Sequence, residues 1–231
     1  MPPFNESYNR VQEPLFEPRP IISHIGRTSL MPVTARSAHA LSRIYGYDSP
    51  KQMAEDLPDD ADVIDVGAGA STLGVEISEL RPDINWVNVD ICYDDEEIVS
   101  DISASQEFPP NFSLLPADIM TLPETLGEKS FDRVFSYFML QHIEIADKEA
   151  ALIAAKNMLK IIKPGGQLSI GPTRGLSLPY AVILKPRDSV TVESPKEVEE
   201  LNELAETLIE KIRLRAFAAY RQKRNNRVVI K

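Results

Sequence analysis

The chain has 231 residues, enough for one domain with a substantial hydrophobic core and too few for two full domains. Apolar residues make up 43% of it and charged residues 26%, which is ordinary for a globular protein and excludes collagen-like, coiled-coil and fully disordered chains. The net charge of −10 opposes nonspecific attraction to nucleic acid and to anionic membrane surfaces.

The first 60 residues are expected to form an extended arm followed by a small helical layer. Five prolines within the first 20 residues remove backbone donors and exclude a helix there. Thr34 is placed to cap a short helix that runs through Ile44. Ser49 followed by Pro50 is a typical helix start and predicts a second helix over Lys51–Leu57.

From Asp62 onward, short β-branched runs alternate with helical segments, which is typical of a parallel sheet covered on both faces. We therefore predict an α/β fold, with a doubly wound and mostly parallel sheet and right-handed crossovers. The predicted strands are Asp62–Val66, Asn85–Asp90, Phe112–Leu115, Arg133–Phe138 and Gln167–Ile170. Helices are expected over Ser71–Leu80 and Asp147–Ile162.

The end of the chain adds further elements and a change of charge. Apolar residues spaced three and four apart predict a long helix with one buried face over Pro195–Lys223. Residues 211–231 hold eight lysines and arginines and no acid, a pattern that suits either a helix dipole or RNA. Further strands are expected over Tyr180–Leu184, Ser189–Val192 and Arg227–Ile230. We expect one domain, 1–231, divided into the arm and helical layer (1–60), the core (61–172) and a carboxyl-terminal part (173–231).

The most informative segment runs from Val63 to Ser71, where an apolar strand enters a glycine turn and then a helix. Gly67 can adopt positive φ, and Gly69 allows a ligand to approach the backbone without meeting a Cβ atom. Ser71 can cap the next helix, whose first N–H groups lack partners within the helix. Tight packing of a helix on a strand would also explain two glycines.

Two aspartates follow the next two strands. Asp90 lies 21 residues after Gly69, where a carboxylate can accept hydrogen bonds from both hydroxyls of a ribose. Asp118 follows the third strand, at the carboxyl edge where open α/β sheets bind ligands. An aspartate at a strand end can also be a simple turn or cap residue.

Five segments follow one another in a recognisable order: Asp65-Val66-Gly67-Ala68-Gly69, Asp90, Ala117-Asp118, Phe131 through Ile143, and Leu159 through Gly166. Taken in order, they resemble the motifs of class I S-adenosylmethionine-dependent methyltransferases over about residues 60–172. The resemblance implies a seven-stranded sheet with an antiparallel final strand, and S-adenosylmethionine as the cofactor. Ser71 stands where the family often has a third glycine, and the sequence after the fifth strand departs from the family pattern.

The resemblance also implies a role for each cofactor-binding residue. The turn would hold the methionine end of the cofactor, through Asp65, Gly67, Ala68 and Gly69. Asp90 would bind the ribose hydroxyls, with Ile91 packed on the adenine. Asp118 would accept a hydrogen bond from the exocyclic amine of adenine, with Ile119 beside it. Ser136 and Tyr137 would border the sulfonium and the substrate.

His142 is the candidate general base. It follows the fourth predicted strand, and its ordinary pKa of about 6.5 suits proton transfer near neutrality. It would be needed only where the acceptor must lose a proton. Tyr137 is a second candidate that could orient the acceptor. Both side chains could equally be structural.

The methyl acceptor is expected to be a small molecule with an oxygen or nitrogen nucleophile. The alternatives are an RNA acceptor bound by the basic carboxyl-terminal segment, a protein that binds S-adenosylmethionine without turnover and, more distantly, an NAD-dependent oxidoreductase. The single cysteine, Cys92, and three scattered histidines offer no metal site. Because neither a signal peptide nor a membrane span of ~20 apolar residues is evident, we expect a cytoplasmic protein without a membrane partner.

Overall fold

A computed structural model of the chain describes residues 19–22, 28–31, 37–105, 107–137, 139–140, 143, 147–171, 182–184, 190–193 and 200–210. The strands β1 (Arg19–Ile22) and β2 (Thr28–Met31) form an antiparallel pair of their own. The proline-rich start of the arm, the helix expected beyond residue 210 and the strand predicted at Arg227–Ile230 lie outside the described residues.

The helical layer consists of α1 (Ala38–Ile44) and α2 (Pro50–Glu55). The prediction that Thr34 caps the first helix was wrong, because the N-cap is Ser37, whose hydroxyl accepts a hydrogen bond from the Ala40 N–H. The second start was predicted correctly, with Ser49 as N-cap and Pro50 in the first turn. Buried side chains of both helices pack against one face of the main sheet.

The main sheet has seven strands in the order β5-β4-β3-β6-β7-β9-β8. The five strands from β5 to β7 are parallel, whereas β9 lies antiparallel between β7 and β8. This confirms the predicted doubly wound and mostly parallel fold. An antiparallel strand, which the departure after the fifth strand had left open, is present between β7 and β8. The strand bounds are β3 Asp62–Val66, β4 Asn85–Asp90, β5 Phe112–Pro116, β6 Phe131–Tyr137, β7 Ile162–Gly171, β8 Val182–Leu184 and β9 Val190–Glu193.

Helices cover both faces of this sheet and form two hydrophobic cores with it. The further helices are α3 Leu73–Leu80, α4 Glu96–Ser105, α5 Leu122–Leu126, α6 Lys148–Lys160 and α7 at residues 200–210. One face of the sheet packs on α1, α2 and α3, and the opposite face packs on α5, α6 and α7. Four side chains of α7 are buried, which confirms that this part of the predicted carboxyl-terminal helix is amphipathic: Leu204, Ala205, Leu208 and Ile209.

The glycine pair at residues 165 and 166 belongs to a bulge inside β7 and not to a separate turn. Phe131 pairs with Ile162 and Arg133 pairs with Gln167, so five steps along β7 oppose two steps along β6. A Cβ atom on Gly166 would lie 2.9 Å from the Asp132 carbonyl oxygen, so the close approach requires glycine. The strand is therefore longer than the predicted Gln167–Ile170.

Lys163 in this bulge joins the amino-terminal ends of β3 and β6. Its Nζ lies 2.6 Å from Asp62 Oδ2 and 2.7 Å from Asp132 Oδ2. Partial burial of Asp132 opposes ionisation, but the hydrogen bonds from Lys163 and the Asp62 N–H outweigh it and hold the pKa of Asp132 below its usual value. The hydrogen bonds to Asp132 and Asp62 raise the pKa of Lys163.

Replacing Lys163 with Met is expected to lower the free energy of unfolding by up to about 1 kcal/mol at pH 7, since the group is only partly buried. The lowered pKa of Asp132 means that this loss disappears as the pH falls through that value, below about 4. The raised pKa of Lys163 means that it also disappears above about pH 10. Denaturant titrations of both proteins across pH measure the difference.

Lys51→Met is the matched control. Its partner Glu55 is 3.9 Å away, and both side chains are mostly exposed. Such pairs contribute little, so we expect almost no change in stability at any pH. A loss for Lys163→Met that persists undiminished in acid would show that packing and not charge is responsible.

Candidate functional site

The candidate site lies at the carboxyl ends of β3, β4 and β5, which are neighbours in the sheet. The chain reverses its direction of strand addition between β3 and β6, and open α/β sheets bind ligands at such a point. The glycine turn follows β3, Asp90 ends β4, and Asp118 comes two residues after β5. The structure thus brings the three predicted cofactor-binding segments to one edge.

The glycine turn is fastened to the end of β4. The N–H groups of Gly67 and Ala68 both donate to the Val89 carbonyl oxygen, at 2.8 and 3.2 Å. Gly67 and Gly69 have φ values of +76° and +55°, which favour glycine over any residue with a side chain. The turn continues into α3, whose N-cap is Thr72 and not the predicted Ser71, because the helix begins only at Leu73. The Ser71 hydroxyl accepts a hydrogen bond from the Leu73 N–H within the turn.

Gly67 also faces a side chain from the segment after β6. A Cβ atom added to Gly67 would lie 2.8 Å from Met139 Cβ and 3.1 Å from its sulfur atom. Such distances are closer than van der Waals contact allows. The absence of a side chain at Gly67 therefore lets the glycine turn and the segment after β6 pack directly on one another.

Asp90 organises the turn after β4. Its Oδ1 accepts a hydrogen bond from the Cys92 N–H at 3.0 Å and its Oδ2 accepts one from the Gly69 N–H at 2.9 Å. The first bond caps the short 3-10 helix Ile91–Asp94, and the second reaches the glycine turn. Each carboxylate oxygen can accept more than one hydrogen bond, so Asp90 retains capacity for ligand hydroxyls.

Asp118 has the same arrangement after β5. Its Oδ1 accepts a hydrogen bond from the Met120 N–H at 2.8 Å and caps the 3-10 helix Ile119–Thr121. The side chain of Asn157, from α6, donates to the Ile119 and Met120 carbonyl oxygens at 2.9 and 2.7 Å. Asn157 therefore fixes the position of the predicted adenine-binding segment, a role that no sequence motif indicated.

Two predicted residues are buried within the strands. Asp65 of β3 is 3% exposed, and its register partners are Asn88 on β4 and Phe135 on β6. Ser136 is 1% exposed, and its hydroxyl donates to the Val66 carbonyl oxygen at 3.0 Å. This bond connects β6 to β3 just before the glycine turn.

The two candidate catalytic residues differ in what the structure describes of them. Tyr137 ends β6, is half-buried and packs against the core that includes α1 and α2. His142 lies outside the described residues. Its predicted role as a general base stays a prediction.

Burial controls the two titratable groups beneath the turn. Burial first, and then the charge of Asp90, raises the pKa of both the Cys92 thiol and the Tyr93 hydroxyl. Both groups are therefore protonated near neutral pH, and the thiol is not an activated nucleophile. Within the described residues, no group of three or more His, Cys, Asp or Glu side chains is placed to hold a metal ion.

The sequence of the core matches a known family. Residues 63–166 match a family model described as a methyltransferase domain, and this range runs from β3 into the bulge of β7. Over this range the core is similar to methyltransferase domains, and its sheet is mostly parallel, as the resemblance to the class I family implied. No curated protein matches the chain.

Several solved structures are similar to the chain at low identity. The YcgJ protein from Bacillus subtilis is 18% identical over 52% of this chain and 48% of that one, with a TM-score of 0.41. An O-methyltransferase family protein from Burkholderia thailandensis is 16% identical over 58% and 38%, with a TM-score of 0.44. The N-methyltransferase NodS from Bradyrhizobium japonicum, in complex with S-adenosyl-l-homocysteine, is 21% identical over 49% and 53%, with a TM-score of 0.38. The chain thus spans about half the length, or less, of these structures.

Within this core, Gly67→Ala is expected to lower the free energy of unfolding by about 2–5 kcal/mol. The left-handed backbone costs a residue with a side chain roughly 1–2 kcal/mol, and the overpacking against Met139 typically adds ~1–3 kcal/mol. Gly165→Ala is the matched control, because Gly165 has φ +81° and a Cβ atom there would meet nothing within 4 Å. It should show the backbone cost alone. Denaturant unfolding compares the two, and equal losses would show that Met139 moves aside freely.

Proposed function

We propose that the chain is an S-adenosylmethionine-dependent methyltransferase that transfers the methyl group to an oxygen or nitrogen atom of a small molecule. The observation that carries this proposal is the meeting of the glycine turn, Asp90 and Asp118 at the ends of three adjacent parallel strands. The match of residues 63–166 to the methyltransferase domain model supports it.

The cofactor would lie across these three strand ends. The glycine turn would hold its methionine part, Asp90 would accept hydrogen bonds from the ribose hydroxyls, and Asp118 would accept one from the adenine amine. Ile119, which follows Asp118 and is 8% exposed, would lie beside the adenine ring.

Electrostatics favours S-adenosylmethionine over a dinucleotide. S-Adenosylmethionine carries a cationic sulfonium and no phosphate, so the carboxylates of Asp90 and Asp118 attract it. NAD would bring two phosphates to the same edge, where these carboxylates would repel them. A dehydrogenase also gives no role to Asp118.

Methyl transfer needs an in-line approach of the acceptor to the sulfonium. The leaving group is already activated, so holding the acceptor in place can supply much of the rate, up to roughly 7–11 kcal/mol. His142 would remove a proton from acceptors that carry one, and Tyr137 would orient them. In this proposal the helical layer and the carboxyl-terminal part, packed on the core, complete one domain around the acceptor.

The basic segment 211–231 supports RNA as the second candidate acceptor, because it holds eight lysines and arginines and no acid.

No helix among the described residues is long and apolar enough to span a bilayer. In this proposal the enzyme is cytoplasmic and acts on a dissolved acceptor.

Calorimetric titration with S-adenosylmethionine and with NAD tests the cofactor. We expect binding of the first and none of the second. Asp90→Ala should weaken the binding of S-adenosylmethionine about tenfold or more, because hydrogen bonds to a charged group contribute roughly 1.5–3 kcal/mol. Asp59→Ala, at a carboxylate that is 95% exposed and paired with Arg81, should bind normally. Wild-type protein that does not bind S-adenosylmethionine would contradict the proposed function.

Transfer of a labelled methyl group to a cell extract, separated into small-molecule, RNA and protein fractions, tests the acceptor. We expect label in the small-molecule fraction. His142→Ala should lower the rate by about 10²–10⁴-fold while leaving the affinity for S-adenosylmethionine unchanged, as expected for loss of a general base. His39→Ala, on the exposed surface of α1, is the matched control. Label in RNA supports the second candidate, and binding without transfer to any fraction identifies a protein without turnover.

A further inference from the structure

Both main-chain polar groups of Gly69 form hydrogen bonds with side chains at the end of β4 and in the short helix that follows it. Its N–H donates to Asp90 Oδ2 at 2.9 Å, and its carbonyl oxygen accepts a hydrogen bond from the Tyr93 hydroxyl at 2.5 Å. Asp90 and Tyr93 lie 21 and 24 residues further along the chain. We call this pair of contacts the Gly69 clamp. It restricts Gly69 to its φ of +55°, whereas a free glycine adopts positive and negative φ about equally readily.

The Tyr93 side chain of the Gly69 clamp is held in place by burial. The residue is 5% exposed and belongs to a small core that connects the glycine turn to α4. Its pKa is raised by burial and by Asp90, so the hydroxyl keeps its proton and donates throughout the neutral range. The core members are Ala70, Cys92, Tyr93, Ile98 and Ile102.

The two halves of the Gly69 clamp differ in their relation to the cofactor. Asp90 is the carboxylate that would accept the ribose hydroxyls, so the oxygen that accepts from the Gly69 N–H would also face the ligand. The Tyr93 contact uses the Gly69 carbonyl oxygen, which lies outside the acceptor group that the ligand would engage. It can therefore hold the turn while Asp90 engages the ligand.

We propose that Tyr93 is a positioning residue for S-adenosylmethionine, acting through the carbonyl oxygen of Gly69 to keep the turn in its binding shape. This inference rests on the proposed function. Tyr93 would change the affinity for the cofactor and not the chemical step, because its hydroxyl acts on the turn before any methyl transfer begins. The expected kinetic signature is a raised KM for S-adenosylmethionine with kcat unchanged.

Tyr93→Phe removes the hydroxyl and keeps the ring. We expect the Kd and KM for S-adenosylmethionine to rise about fivefold to tenfold, the cost of one well-placed hydrogen bond, with kcat at saturating cofactor unchanged. Tyr47→Phe is the matched control, since the buried Tyr47 hydroxyl also makes a 2.5 Å hydrogen bond, to Asp56 Oδ2 in the helical layer. It should lose similar stability without a change in cofactor affinity.

Ile98→Val is a second control, because it loosens the small core around Tyr93 while leaving the hydroxyl in place. It should lower the melting temperature slightly and bind S-adenosylmethionine normally. Hydrogen exchange of the wild-type Gly69 amide needs no variant. A turn clamped from both sides should exchange slowly even without cofactor.

The outcomes separate the two proposals. If wild-type protein does not bind S-adenosylmethionine, the proposed function fails and this inference fails with it. If the wild type binds but Tyr93→Phe binds equally well, or Tyr47→Phe weakens binding as much, the inference is overturned while the proposed function stands. Fast exchange of the Gly69 amide in the wild type would also overturn it.

Discussion

The contact between the glycine turn and the end of β4 determines the geometry of the candidate site. Two N–H groups of the turn converge on the Val89 carbonyl oxygen, and a third, from Gly69, reaches Asp90. The Gly67 N–H bond continues the pairing of β3 with β4, and the positive φ of Gly67 then turns the chain so that the next two N–H groups also face the end of β4. The direction of α3 follows from this turn.

The packing of α3 on β4 reinforces that contact. A Cβ atom on Gly74 would lie 2.3 Å from Trp86 Nε1, so only glycine lets the helix approach the sheet so closely. Trp86 Nε1 donates to Asn88 Oδ1 at 2.8 Å, and the Asn88 amide reaches the Ser71 carbonyl oxygen at 3.5 Å. The start of the helix is thus connected through two buried side chains to the strand that carries Asp90.

Strands and helices were predicted correctly where the local residue pattern has only one reasonable interpretation. Both β3 and β4 were predicted with correct bounds, because an apolar strand flanked by turn residues has few alternative interpretations. The helices α4 and α5 were not predicted, because the first is rich in polar residues and the second is only five residues long. The strand β7 was predicted from Gln167 and begins at Ile162, because Gly165 and Gly166 indicate a break in a strand but not that pairing already exists before the break.

The site was predictable only where residue type and spacing carry a meaning. Asp90 and Asp118 follow strands, and the edge of a parallel sheet brings strand ends together. Tyr93 and Asn157 carry no such signal, because a tyrosine inside a turn and an asparagine inside a helix serve many structural purposes. Their roles depend on main-chain carbonyl groups that only the folded chain brings near them.

The aspartates at the two edges of the sheet have different partners, and the difference bears on function. At the amino-terminal edge, Lys163 lies between Asp62 and Asp132 and offsets their charge. At the carboxyl edge, main-chain N–H groups donate to Asp90 and Asp118. Such bonds hold a carboxylate in place without bringing a positive charge to it. A carboxylate held in this way attracts a cation, which is what the proposed binding of a sulfonium requires at this edge.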